Sequence, residues 1–212
     1  MTFVSQNNKN YQSLDEYNLR FSNFKANQAK IDELNSNPDD TAKYGLNALS
    51  DLSDTEFKAM LGVKLNDQLV SNKSKGLEIK GMLGAVGATS FDWRNTAGKV
   101  SAVKNQGACG SCWAFSAAEA IESIWAIKKN TLYSLSPQHL LDCAYSSGCN
   151  GGHPANAFYY AAINKGLNND TAYPYKAVKG TCSNKGALLA PITNYGLNNA
   201  QVSDATMMYY VN

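Results

Sequence analysis

From Cys112 to about Lys128 the chain places apolar residues on nearly every side of a helix: Trp113, Ala114, Phe115, Ala117, Ala118, Ala120, Ile121, Ile124, Trp125 and Ile127. A helix without a polar face is a buried one, so the surrounding residues must build a core around it. At 212 residues the chain can supply that core as one large domain or two small ones. Further helical signals follow. Ser136-Pro137 opens a helix with serine as cap and proline at the first helical position, Pro154 to Lys165 forms another stopped by Gly166, and a last one starts at Ser203. No run of alternating strands interrupts them, so this half reads as helix and loop.

The residues that lead into the buried helix carry chemistry. Gln106-Gly-Ala-Cys-Gly-Ser-Cys-Trp-Ala-Phe115 sets Cys112 at the helix start, six positions after a glutamine. A thiolate there gains about 0.3–1 kcal/mol from the positive helix end, and a nearby amide donor suits an oxyanion. The five cysteines, Cys109, Cys112, Cys143, Cys149 and Cys182, all lie in the second half. An odd count implies two bridges and one free thiol, which fits a secreted or lysosomal protein with a reactive cysteine. Four of them can pair in three ways, and spacing does not choose among these. A zinc site at Cys109-x-x-Cys112 needs a second closely spaced pair, whereas Cys143 and Cys149 have five residues between them. A thioredoxin-like redox motif would follow a strand in a βαβ unit, and no such pattern precedes it. No metal and no cofactor are expected.

The first half differs. Residues 11–62 are rich in charged and polar groups. Ser13-Leu-Asp-Glu16 is a capping-box pattern for a helix running to about Asn35. Within it Glu16, Arg20, Phe24, Asn27, Ile31 and Asn35 recur at intervals of 4, 4, 3, 4 and 4 residues, which places them on a stripe roughly 100° wide. So mixed a stripe suits a helix packed on its own domain with hydrogen bonds inside the contact. Ser53-Asp-Thr-Glu56 is a second capping box, opening a short helix that Gly62 would end. From 63 to 90 the composition turns polar and then Gly/Ala-rich without a period, the mark of an exposed, protease-accessible linker. A net charge of +2 with interspersed signs points away from nucleic acid and anionic membranes. No apolar run reaches the roughly 18 to 20 residues of a membrane span. The beginning, Met1-Thr-Phe-Val-Ser-Gln-Asn-Asn, shows no signal peptide.

The Gln106–Phe115 segment resembles the active-site segment of papain-like cysteine proteases. The stripe Glu16, Arg20, Phe24, Asn27, Ile31, Asn35 is similar to the helical signature of the inhibitory propeptide of cathepsin L-like proteases. Gly45-x-Asn47-x-Leu49-x-Asp51 resembles that propeptide's second motif, and Phe91-Asp-Trp-Arg94 looks like the start of the mature domain. The resemblance implies an inhibitory propeptide over 1–62, a linker over 63–87 that runs through the cleft in the non-cleavable direction, and the helical part of a peptidase domain over 88–212. Processing is expected between about Gly84 and Ser90. The fold class implied is mainly α as given: a helical propeptide plus the helical (left) domain of a papain-like α+β fold, with the β-barrel right domain missing.

By the same resemblance Cys112 is the nucleophile and Gln106 the oxyanion donor. Gly110, Ser111, Trp113, Gly151, Gly152, His153 and Pro154 line the substrate cleft, with His153 standing where many relatives carry a bulkier residue. The implied bridges are Cys109–Cys149 and Cys143–Cys182. The family's histidine and asparagine lie about 130–150 residues beyond the cysteine, past about position 240. His139 and His153 match neither, so this chain is expected to be inactive alone. The implied partners are peptide or protein substrates and the chain's own propeptide; a monomer in a lysosomal, vacuolar or secreted location is expected. Protonation of Asp51 and Glu16 is expected to loosen the propeptide in acid. A second expectation is a non-catalytic product acting as a propeptide-type inhibitor of cysteine proteases. Asn72-Lys-Ser74 and Asn169-Asp-Thr171 are glycosylation sequons, short enough to arise by chance.

Overall fold

A computed structural model describes residues 2–63, 77–78, 90–145, 147–183, 185–197, 207–208 and 211. Two compact units emerge, Met1–Met60 and Leu61–Asn212. Both are mainly helical, and the only sheet among the described residues is a parallel pair of two-residue strands. No helix among those residues is long and apolar enough to cross a membrane. Most of the linker, the expected processing region up to residue 89, and most of the helix expected from Ser203 lie outside the described residues.

The first unit holds α1 (Phe3–Gln6), α2 (Leu14–Asn35) and α3 (Asp54–Ala59). Ser13 Oγ accepts from Glu16 N–H at 3.1 Å, while the Glu16 carboxylate reaches Gln12 N–H at 2.7 Å, one residue before the expected partner. At α3 the capping box is complete, with Ser53 N–H donating to Glu56 Oε2 at 2.8 Å. Arg20, Asn27 and Asn35 of the α2 stripe reach into the loop before α3. Asn27 Nδ2 donates to the carbonyls of Ser50 and Leu52, both at 2.9 Å. Asn35 both donates to Tyr44 O at 2.9 Å and accepts from Tyr44 N at 3.0 Å. Arg20 donates to Asp51 O at 3.3 Å and to Glu56 Oε2 at 3.0 Å. The apolar member Phe24 packs on Phe3 with ring centroids 4.8 Å apart. A loop without its own ladder thus has its carbonyls satisfied by side chains at helical spacing.

Asp51 is buried at the centre of this contact and accepts from Lys9 Nζ at 2.8 Å and Tyr11 Oη at 2.9 Å. Burial alone would favour the neutral acid, but the hydrogen bonds from Lys9 and Tyr11 outweigh it and hold the carboxyl below its ordinary value of 3.8. Burial and the same carboxylate push the Tyr11 phenol up to about 12. Because the folded value is depressed, the stability Asp51 contributes is complete above about pH 4 and drains only below it. The acid loosening expected from Asp51 therefore sets in only below about pH 4.

The second unit is built on α4 (Cys112–Lys129), packed against α5 (Pro137–Cys143) and α6 (Pro154–Ile163). Trp113, Ala114, Ala117, Ala118 and Ile121 of α4 meet Leu140 and Leu141 of α5 and Ala157 and Ala161 of α6 in one core. The facing alanines let the helices approach closely. Burial is not complete around α4, since Ser116, Ala120 and Ile124 stay exposed along an i, i+4 strip. Glu122, set in the apolar run, is fully buried; it accepts from Leu135 N–H at 2.7 Å and Ser101 Oγ at 2.8 Å and pairs with Lys104. At the other end Asn130 takes φ 54° as C-cap, and Lys99 Nζ donates to Ala126 O at 2.8 Å. The strands β1 (Leu77–Glu78) and β2 (Gly196–Leu197) pair Leu77 with Gly196 and Glu78 with Leu197.

His139 of α5 is buried beside Tyr173, whose ring stacks on it at 5.3 Å, and edge-on to Tyr160 at 5.6 Å. Its Nδ1 accepts from Asn168 N–H at 3.0 Å, so the ring proton lies on Nε2, 3.1 Å from Tyr160 Oη. The charged groups facing this cluster are Asp142, which favours the cation, and Lys185, over the far ring of Tyr173. Burial prevails and pushes the imidazole down to about 4, against an ordinary 6.5. A folded value below the unfolded one means stability is full above pH 6.5 and declines as pH falls toward about 4. Unfolding followed by tryptophan fluorescence, which reports the second unit because Trp93, Trp113 and Trp125 all lie there, is expected to show a loss of about 3 kcal/mol across that window. His139→Gln should flatten this decline; an unchanged slope in the variant would contradict the assignment.

Candidate active site

The stretch before α4 is fixed from several directions. Cys109 is bridged to Cys149 and Cys143 to Cys182, while Cys112 is a free, half-buried thiol. Gly110 N–H donates to Cys149 O at 2.9 Å, and Ser111 N–H to Cys109 O at 2.7 Å. Ser111 occupies the N-cap of α4 but gives it no side-chain cap. Its hydroxyl instead meets Tyr175 Oη at 2.6 Å, inside the protein. Consequently no side-chain oxygen of the cap residue offsets the partial positive charge at the helix start, where Cys112 is the first helical residue.

Gln106 is held at the mouth of the same turn. Its Nε2 donates to Cys109 O at 2.8 Å, and its carbonyl accepts from Tyr175 Oη at 2.8 Å. Tyr175 therefore links the glutamine to the residue preceding the thiol, with Phe115 packed edge-on against its ring at 4.8 Å. Upstream, the Lys104–Glu122 pair ties the segment that leads to Gln106 to the flank of α4. Sequence reasoning missed both Tyr175 and Glu122. Nothing local marks Tyr175; Glu122 shares a largely apolar run with Glu119, and its complete burial beside Lys104 is what sets it apart as a paired charge.

The glycine wall lies beside this turn. Gly151 has φ 111° and its carbonyl accepts from Ser147 N–H at 3.0 Å. Gly152 N–H donates to Gly62 O at 2.8 Å, and Val63 pairs with Gly152 in parallel. Gly62 was expected to end α3, yet α3 stops at Ala59 with Met60 as its cap. The reason for glycine at 62 is proximity: a Cβ there would stand 2.0 Å from Gly110 O. Gly110 is equally confined, since its own Cβ would fall 2.4 Å from Cys149 O. Trp113 is fully buried, its indole N–H 3.4 Å from Gly148 O, so the side chain belongs to the core.

Neither histidine is engaged as a base for Cys112. His139 is committed to Asn168 and Tyr160. His153 is the N-cap of α6, with Nδ1 accepting from Ala155 N–H at 3.1 Å just ahead of Pro154 at the first helical position. The arrangement offers a nucleophile, a carboxamide donor and a backbone wall able to pair with extended chain.

Comparison with known proteins follows the same division. A family model described as papain family cysteine protease matches residues 87–212, and one described as cathepsin propeptide inhibitor domain matches residues 2–57. Ananain of Ananas comosus is 39% identical over 211 residues, covering 95% of this chain and 58% of its own length. The cathepsin L-like proteinase of Phaedon cochleariae is 38% identical over 91% of this chain and 60% of its own. A solved recombinant stem bromelain precursor superposes with a TM-score of 0.84 at 36% identity, over 98% of this chain and 66% of its own. The chain thus spans about three fifths of the length of these curated relatives.

The close approach at Gly62 yields a direct expectation. Gly62→Val drives a side chain into Gly110 and should break the Gly152–Gly62 hydrogen bond. Amide exchange at Gly152 is expected to accelerate at least roughly tenfold, the effect of about 1.4 kcal/mol of lost protection. Unchanged exchange would mean that the segment at 62–63 does not cover the wall.

Proposed function

The chain belongs to the papain family of cysteine proteases, and from that premise we propose that it is part of a cysteine endopeptidase proenzyme acting on peptides and proteins. Residues 1–62 act as the inhibitory propeptide, 63–87 as the linker through the cleft, and 88–212 as the helical part of the peptidase domain. The observation that carries the reading is the free thiol of Cys112 at the uncapped start of α4, in a turn tied to Gln106 by Tyr175. In the reaction the Cys112 sulfur attacks the carbonyl carbon of the scissile peptide. Gln106 and the Cys112 N–H hold the developing oxyanion. A histidine takes the thiol proton and returns it to the leaving amine, and water then hydrolyses the thioester.

That histidine, and an asparagine to orient it, come from sequence outside these 212 residues, together with a β-barrel half. Two observations support this: both histidines here are committed to structural hydrogen bonds, and the relatives are longer. The 212-residue polypeptide is accordingly inactive by itself. Gly151 and Gly152 bind extended substrate through their backbone, flanked by Gly110, Ser111, His153 and Pro154. The pairing of Gly62 and Val63 with Gly152 supports inhibition in the proenzyme, because the wall is already occupied. The parallel sense of that pair fits a segment running opposite to a substrate. Two disulfides favour a route through an oxidising secretory compartment, ending outside the cell or in a lysosome or vacuole, and a monomer is expected.

The test is hydrolysis of a peptide substrate by the processed full-length gene product. Cys112→Ala should lower turnover by about 10⁴-fold or more, and Gln106→Ala should lower kcat/KM by about 10²–10³-fold. Turnover that survives Cys112→Ala would refute the proposal.

A further inference from the structure

We infer that Asn169 is an acceptor for N-linked glycan. Asn169-Asp170-Thr171 satisfies the N-x-[ST] pattern with a residue other than proline in the middle, which by itself is weak. The geometry adds what the pattern lacks. Asn169 Oδ1 accepts from Thr171 N–H at 2.9 Å and from Thr171 Oγ1 at 2.6 Å, so the hydroxyl and the amide meet directly. A planar carboxamide held by its oxygen presents Nδ2 on the opposite edge, and among the described residues Asn169 Nδ2 has no hydrogen-bond partner. Thr171 and Ala172 are exposed and Asn169 is half-buried.

Both contacts span only two residues, so this side-chain turn is open to a nascent chain before the domain folds. In the folded unit the backbone keeps it: Asn169 pairs with Leu135, Asp170 N–H donates to Ser134 O at 2.9 Å, and Tyr173 N–H to Asn169 O at 3.0 Å. The inference rests on the secretory route of the proposed function and not on its peptidase chemistry. The donor class is a lipid-linked oligosaccharide pyrophosphate of the secretory pathway. Asn169 Nδ2 forms a bond to the anomeric carbon and loses one proton, while the bond from that carbon to the lipid pyrophosphate breaks and the lipid pyrophosphate departs. The other sequon, Asn72-Lys-Ser74, lies outside the described residues.

The chain should be expressed behind a secretory signal in a eukaryotic host, with a control sequon appended at its C-terminus. Peptide mapping after amidase deglycosylation in ¹⁸O water reads occupancy at Asn169 directly and needs no variant. Conversion of Asn169 to labelled Asp is expected. Asn169→Gln and Thr171→Ala should each lose one glycan increment on a gel, and Thr171→Ser should keep it. An unmodified Asn169 in molecules whose control sequon is occupied would overturn the inference, and it would leave the peptidase proposal untouched.

Discussion

The turn from Cys109 to Cys112 depends on ties that reach it from distant parts of the chain. The Cys149 bridge holds its start, the Cys149 carbonyl receives Gly110 N–H, and the Tyr175 hydroxyl joins Ser111 to the Gln106 carbonyl. Together they remove Ser111 from its role as a helix cap and bury it. What remains at the helix start is a half-buried free thiol on the first helical residue, with no side-chain cap before it. Had the serine hydroxyl turned to its own helix, the local field at Cys112 would be partly quenched. The chemistry proposed for the thiol thus depends on Tyr175, which acts through Ser111 and Gln106.

A buried ion pair secures the approach to this turn. Glu122 is surrounded by apolar residues of α4, and its carboxylate is satisfied by Lys104, Ser101 and the Leu135 amide. Removing one partner of such a pair typically costs about 3–5 kcal/mol, because a charge is left buried without its counterion. The pair and its hydrogen bonds pin two separate segments, at 101–104 and at Leu135, to one helix. In the first unit the same logic recurs, where Asn27, Asn35 and the Arg20 guanidinium satisfy loop carbonyls and Asp51 gathers Lys9 and Tyr11.

Helix starts were legible in the sequence because a cap is a local device. Ser13, Ser53 and Ser136-Pro137 each open a helix where the pattern predicts one. The polar α2 stripe was legible as well, since helical spacing alone brings its members to one face. What escaped depends on partners far away in sequence. Gly62 reads as a helix stop until Gly110 appears beside it. Tyr175 carries no local pattern, because its role exists only where Ser111 and Gln106 converge. The all-round apolar pattern of α4 overstated its burial, as periodicity registers side-chain type and not what covers each face. The candidate site itself was read from resemblance, whereas the geometry explains why its parts lie together.

The most direct measurement of the central claim is the position of a covalent adduct. The processed full-length gene product would be treated with a peptide bearing a thiol-reactive electrophile and then mapped by mass spectrometry. Modification confined to Cys112, competed by a peptide substrate and reduced by Gln106→Ala, is what the account predicts. A product that hydrolyses peptides while Cys112 remains unmodified, or is found in a cystine, would contradict it.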